Sequence, residues 1–259
     1  MTTETQDTFI SHLIELRTRL IRSLIAVIGI FLCLVNWARD IYTLLAQPML
    51  AALPQGGHMI ATDVAGAFFV PMKVTLMLAF LIALPYVLYQ AWSFVAPGLY
   101  ASERRLTLPL IIASVVLFFL GMSFAFFVVF PTVFAFVNKF APEGVAVMTD
   151  IDKYLTFVMT TFLAFGVTFE VPVVVIVLVK TGIVSIAKLK EIRPYVVVGA
   201  FVVGAIFTPP DVLSQFLLAL PLCLLYEAGI IVAGFISKPA PEPAKAQSLS
   251  VPGSDKPST

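Results

Sequence analysis

Six intervals of this chain run for 16 to 33 residues with no more than one Asp, Glu, Lys or Arg each. A helix that crosses a hydrocarbon core needs about 20 predominantly apolar residues at about 1.5 Å of rise apiece, so these intervals leave little besides a membrane as their solvent. They are Ser23–Ala38, Val74–Ser102, Leu106–Asn138, Tyr154–Val179 interrupted by Glu170, Pro194–Pro210, and Val212–Ser237 interrupted by Glu227. Hydrophobic residues make up 60% and charged residues 12% of the 259 positions, whereas soluble domains carry roughly 25% charge; a water-soluble globule is excluded. The pattern predicts an all-α integral membrane protein with six transmembrane helices near 20–38, 74–96, 106–137, 154–179, 195–208 and 212–236, a membrane domain over 20–237. The first span reaches back to Leu20 if Arg22 snorkels to the interface.

Charge placement orients the spans. Of the 16 Lys and Arg residues, 12 fall on one set of alternate connections and four, Arg39, Lys73, Lys139 and Lys153, on the other. By the positive-inside rule both termini are cytoplasmic. Residues 1–22 form an amphipathic segment, with Phe9, Leu13, Leu16 and Leu20 on one stripe and Glu15, Arg19 and Arg22 on another. It is expected to lie along the cytoplasmic interface before turning into the first span. The outer connection Arg39–Lys73, with a short interfacial helix at Ile41–Leu45, is expected to be ordered against the bundle, and the Pro- and Ser-rich tail, 238–259, to be disordered. The first apolar run ends in Asn36-Trp37-Ala38-Arg39 without a cleavage pattern, so it reads as an anchor and not a removed leader. A net charge of +1 gives no reason to expect a nucleic-acid partner.

The last two spans are expected to be short. Tyr195 to Phe207 supplies about 20 Å of helix against a core of about 30 Å, a mismatch that local bilayer thinning relieves. The connection Thr208-Pro209-Pro210-Asp211 ends the fifth helix, and Asp211 is placed to cap the sixth.

No GxSxG, HExxH or GxxxxGK[ST] motif occurs, and two histidines and two cysteines are scattered without ligand spacing, so no catalytic residue, metal or cofactor is expected. What remains is a few carboxylates. Glu15 suits an i,i+4 pair with Arg19, and Glu103, before Arg104-Arg105, suits a helix first turn. Both also fall at the same cytoplasmic interface. Carboxylates held there suit guanidinium ligands, because the arginine fork donates two parallel charge-assisted hydrogen bonds that a lysine does not reproduce. Glu170 interrupts an apolar span beside Pro172, and a charge there costs on the order of 3 kcal/mol, so a partner, a water-filled cavity or a proton is expected. Glu227, nearer the end of its helix, suits snorkelling or packing.

At these residues the sequence resembles the TatC family, the six-span receptor component of the twin-arginine protein translocase. The resemblance rests on His12-Leu-Ile-Glu-Leu-Arg-Thr-Arg-Leu20, Phe94-Val-Ala-Pro-Gly-Leu-Tyr100 with Glu103-Arg104-Arg105, Phe165-Gly-Val-Thr-Phe-Glu-Val-Pro172, and Thr208-Pro-Pro-Asp211. It implies that Glu15 and Glu103, with Arg17 nearby, bind the paired arginines of export signal peptides, and that Glu170 lines a hydrated concavity in the bundle. It further implies that Thr208 and Gln215 meet single-span TatA- and TatB-type partners in a higher-order complex of the bacterial inner membrane, powered by proton-motive force. A proton-coupled small-solute transporter using Glu170 is the alternative from another class, weakened by the absence of any internal repeat relating the two halves. A purely structural membrane scaffold is the third.

Overall fold

The structure, a computed structural model, describes residues 2–44, 60–63, 65–95, 107–140, 150–207 and 212–236. Among them nearly everything is helical and no strand occurs; one isolated bridge joins Ile60 to Asp150.

Helix α1 (Thr2–Leu34) passes through a 3₁₀ turn at Val35–Trp37 into α2 (38–44). At 33 residues α1 is about 50 Å long. The expected turn between the amphipathic segment and the first span is absent. Residues 2–28 contain neither Gly nor Pro, and the hydroxyls that could compete with the helix fold back onto it, Thr18 Oγ1 to the Ile14 carbonyl at 2.8 Å and Ser23 Oγ to that of Arg19 at 3.0 Å.

Helix α3 (Gly66–Val95) packs antiparallel along α1 and carries Pro71 and Pro85 within it. The next span runs through α4 (Thr107–Phe124), a π-helical stretch at Ala125–Val129 and α5 (Phe130–Phe140). The wide turn has a local cause: Pro131 has no N–H for the Phe127 carbonyl and its ring crowds that turn. The fourth span is α6 (Ile151–Phe169) and α7 (Val171–Lys180), broken at Glu170 with Pro172 in the first turn of α7. A turn with Gly182 at φ +71° leads to the short α8 (Ile186–Glu191), capped by Ser185, whose Oγ accepts from the Lys188 N–H at 3.2 Å.

Helix α9 (Arg193–Phe207) has 15 residues, about 22 Å, and falls short of a hydrocarbon core of about 30 Å. Helix α10 (Val212–Ile236) has 25 residues, so the expectation of two short final helices holds for α9 only. Pro221 is accommodated inside α10, and Glu227 finds a cation on α9, so neither ends the helix.

The core sits where α4, α5, α6 and α10 meet, with Val129, Phe130, Phe162, Phe165, Phe169 and Leu218 at its centre. Glycines let the backbones approach: a Cβ on Gly121 would lie 2.5 Å from the Phe165 carbonyl oxygen, one on Gly166 would lie 2.5 Å from the Phe118 ring, and one on Gly229 would lie 2.9 Å from Pro172 Cα. A second cluster joins α7, α8 and α10 through Val175, Leu189, Tyr226 and Ile230, and Tyr226 Oη donates to the Leu189 carbonyl at 2.9 Å. Large apolar side chains such as Leu20, Leu24, Ile25, Leu32, Phe127, Ile206 and Phe235 lie open on the outside. That surface is what a lipid-facing bundle presents. Five helices are long and apolar enough to cross a membrane, and α9 is a shorter apolar one; the chain is a multi-pass membrane protein.

Candidate functional site

Polar side chains concentrate at three levels: the near end, where α1 begins and α3 finishes, the middle of α6–α7, and the far end, where α3 and α6 begin. The near end holds Glu15. Its Oε1 accepts from Arg19 Nη2 at 2.6 Å and from Arg19 Nε at 3.0 Å, one helical turn on. Arg19 Nη1 reaches across to Gln90 Oε1 on α3 at 3.4 Å, longer than an ordinary N–H···O bond. Gln90 is buried, and its Nε2 donates to Tyr86 Oη at 2.7 Å. Beside this group the His12 ring stacks on Phe94, centroids 4.2 Å apart and planes 22° off parallel. Arg17 is exposed on the same turn of α1. Glu103, Thr208 and Asp211 lie outside the described residues.

Both partners at the near end are partly open, Arg19 at 21% and Glu15 at 36% of full side-chain exposure. Their attraction is therefore screened and worth only a few tenths of a kcal/mol. Such a carboxylate is already matched to a guanidinium and still reachable.

Glu170 occupies the break itself. Its N–H closes a tight turn on the Val167 carbonyl at 3.0 Å, and its own carbonyl accepts from Val174 N–H at 3.0 Å, where the helix resumes. The side chain is 9% exposed, and neither carboxylate oxygen has a hydrogen bond of good geometry. Its polar neighbour is the Ser114 hydroxyl of α4, which accepts from Trp92 Nε1 of α3 at 2.8 Å. An unpaired buried carboxyl is costly and is retained where something other than packing requires it. Glu227 is different: its Oε2 lies 2.6 Å from Arg193 Nη2, so the carboxylate is paired between α9 and α10. Gln215 stands in the first turns of α10, half-buried, where a Cβ on Gly204 of α9 would come within 3.3 Å of its carbonyl oxygen.

At the far end Asp150 caps α6, accepting from the N–H groups of Asp152 at 2.8 Å and Lys153 at 3.2 Å. It also accepts from the Thr62 hydroxyl and, at 3.3 Å, the Thr62 N–H, while Ile151 N–H donates to the Ile60 carbonyl at 3.0 Å. These donors, the Thr62 hydroxyl foremost, lower the Asp150 carboxyl from its ordinary value to about 2. Lys73 of α3 pairs with Asp152 of α6 at 2.6 Å. The described part of the connection between α2 and α3, 60–63, is thus fastened to the bundle. Among the described residues no three His, Cys, Asp or Glu side chains gather as a metal-holding group.

Sequence reasoning missed Gln90, Ser114 and Trp92. Gln90 is the one long amide in an otherwise apolar interval, which is a signal; Ser114 and Trp92 are ordinary in spanning helices, and only the fold brings them toward Glu170.

The fold defines a helical, multi-pass membrane protein with a few polar groups buried between its spans. The model of the TatC family, Sec-independent protein translocase protein, matches residues 11–221. The Sec-independent protein translocase protein TatC of Escherichia coli (strain K12) is 55% identical over 235 residues, 91% of each chain. The TatC of Azotobacter chroococcum mcd 1 is 53% identical over 243 residues, 94% of this chain and 95% of that one. A crystal structure described as the twin arginine translocase receptor TatC superposes with a TM-score of 0.76 at 38% identity, covering 86% of this chain and 98% of that one. The chain belongs to the TatC family, and its role is in protein transport through the Sec-independent translocase.

Proposed function

We propose that this chain is the signal-binding core of a twin-arginine translocase, holding the paired arginines of export signals at Glu15 and Glu103, with Arg17 nearby. The near end is then the cytoplasmic end, both termini are cytoplasmic, and the membrane is the bacterial inner membrane. The observation that carries the reading is Glu15, an accessible carboxylate already gripping a guanidinium through two donors on one oxygen. Arginine offers that fork and lysine does not. Thr208 and Gln215, at the α9–α10 connection, face TatA- and TatB-type single-span partners within the Tat complex, and Glu170 lines a hydrated concavity through which proton-motive force acts on passage of folded cargo. The short α9 supports a thinned membrane at that dock. A titration of the purified chain in mild detergent with a synthetic twin-arginine signal peptide tests this. Glu15→Gln and Glu103→Gln should each weaken binding about tenfold, as loss of a charge-assisted bond does, and a twin-lysine peptide should bind the parent chain more weakly. Equal binding by both variants and both peptides overturns the assignment.

A further inference from the structure

The same turn of α1 that carries the carboxylate also carries its occupant. Arg19 directs Nε and Nη2 onto Glu15 Oε1 and steadies its remaining nitrogen on Gln90 of the neighbouring helix. Gln90 is held in turn by Tyr86, so the guanidinium is located by two helices and not by α1 alone. Arg17 and Arg22, on the same helix, are exposed. An ion pair that served only local helix stability would not need a buried amide near the end of α3 to receive its third nitrogen. Both hydrogen bonds fall on Oε1.

Resting on the reading of Glu15 as a signal-binding carboxylate, we propose that Arg19 is a built-in stand-in for a signal arginine, and that signal binding is an exchange in which the incoming guanidinium displaces it from Glu15. The exchange sets a threshold that every ligand must clear. Arginine for arginine replaces two charge-assisted bonds by two of the same kind and is near neutral. Lysine for arginine gives up the fork for a single point charge and runs uphill. A resident competitor weakens every ligand by the same factor, so at a given concentration the ligand that lacks the fork is the one that falls below occupancy. It also keeps the carboxylate matched when no signal is present.

The test uses the full chain in mild detergent, synthetic twin-arginine and twin-lysine signal peptides, and fluorescence anisotropy. Arg19→Gln should tighten the twin-arginine peptide about two- to fivefold, the scale of a released partly exposed ion pair, and tighten the twin-lysine peptide by the same factor, so that both affinities rise while their ratio holds. Gln90→Leu, which removes the anchor on α3 without touching a charge, should shift both in the same direction by less. Arg19→Lys serves if Arg19→Gln does not fold, with tighter twin-arginine binding again expected because the ammonium is the poorer stand-in. Weaker or unchanged twin-arginine binding in the Arg19 variants, with Glu15→Gln still weakening it, overturns the exchange and leaves the receptor reading intact. Unchanged binding in Glu15→Gln overturns the exchange together with the assignment of Glu15 as a signal-binding carboxylate.

Discussion

Glu170 shows how one residue can oppose stability and still be kept. Its two oxygens lack good hydrogen bonds in a 9% exposed position, with a single serine hydroxyl beside them. Replacing such a group by an apolar side chain of similar size recovers the cost of leaving it unpaired, about 1–3 kcal/mol. Glu170→Leu should therefore raise the thermal midpoint of the purified chain in detergent by several degrees while reducing export of a twin-arginine cargo in cells. A lower midpoint would mean that the carboxylate is structurally paired, through water or a partner helix. The sequence marked this position because an acid in an apolar run is conspicuous. It marked Glu227 equally, yet Glu227 is satisfied by Arg193. What separates the two is a neighbour 34 positions away in one case and its absence in the other, and no local pattern carries that information.

At the scale of the element, helix contacts are set by where side chains are missing. The α4–α6 crossing brings Gly121 against the Phe165 backbone and Gly166 against the Phe118 ring. Without a hydrophobic force between helices in lipid, close backbone approach supplies much of the association energy. Gly121→Ala forces a carbon to within 2.5 Å of a carbonyl oxygen that cannot turn aside, and should cost about 2–3 kcal/mol, the upper range for overpacking. Gly199→Ala and Gly234→Ala meet nothing within 4 Å and should leave stability unchanged or raise it by up to about 1 kcal/mol through helix propensity. Thermal unfolding of the three variants in one detergent separates the cases, and equal midpoints would show that this crossing is loose. Helix existence was legible from charge-free length. Helix boundaries were less so: the turn before the first span is missing because nothing between Thr2 and Ile28 breaks a helix, and α10 outlasts the expectation of a short helix because its proline and its acid are both accommodated.

Across the whole molecule, the far end is tied together by contacts between segments almost 90 residues apart, Thr62 on Asp150 and Ile151 on Ile60, with Lys73 and Asp152 beside them. The Asp150 carboxyl is lowered in the folded chain to about 2 from an ordinary value of 3.8. The stabilisation it provides is thus complete above pH about 4 and is lost as pH falls from there through about 2. Amide exchange, corrected for intrinsic rates, should show strong protection of Thr62, Asp152 and Lys153 at neutral pH and progressive loss in that acid window. Asp150→Asn should loosen the same amides already at pH 7; unaltered protection there would show that the tie is held by the backbone bridge alone. The near end works by the opposite design, a single rod in place of a knot. With no joint between Glu15 and the lipid-embedded part of α1, the compass bearing of the acid is geared to the rotation of the span. Inserting one residue between 20 and 34 swings the Glu15–Arg19 pair by about 100°, taking Arg19 away from Gln90, whereas seven residues, close to two full turns, bring it back nearly into phase. Evolution can lengthen or shorten this helix only in such steps without disengaging Arg19, and the acid it holds, from the helix beside it.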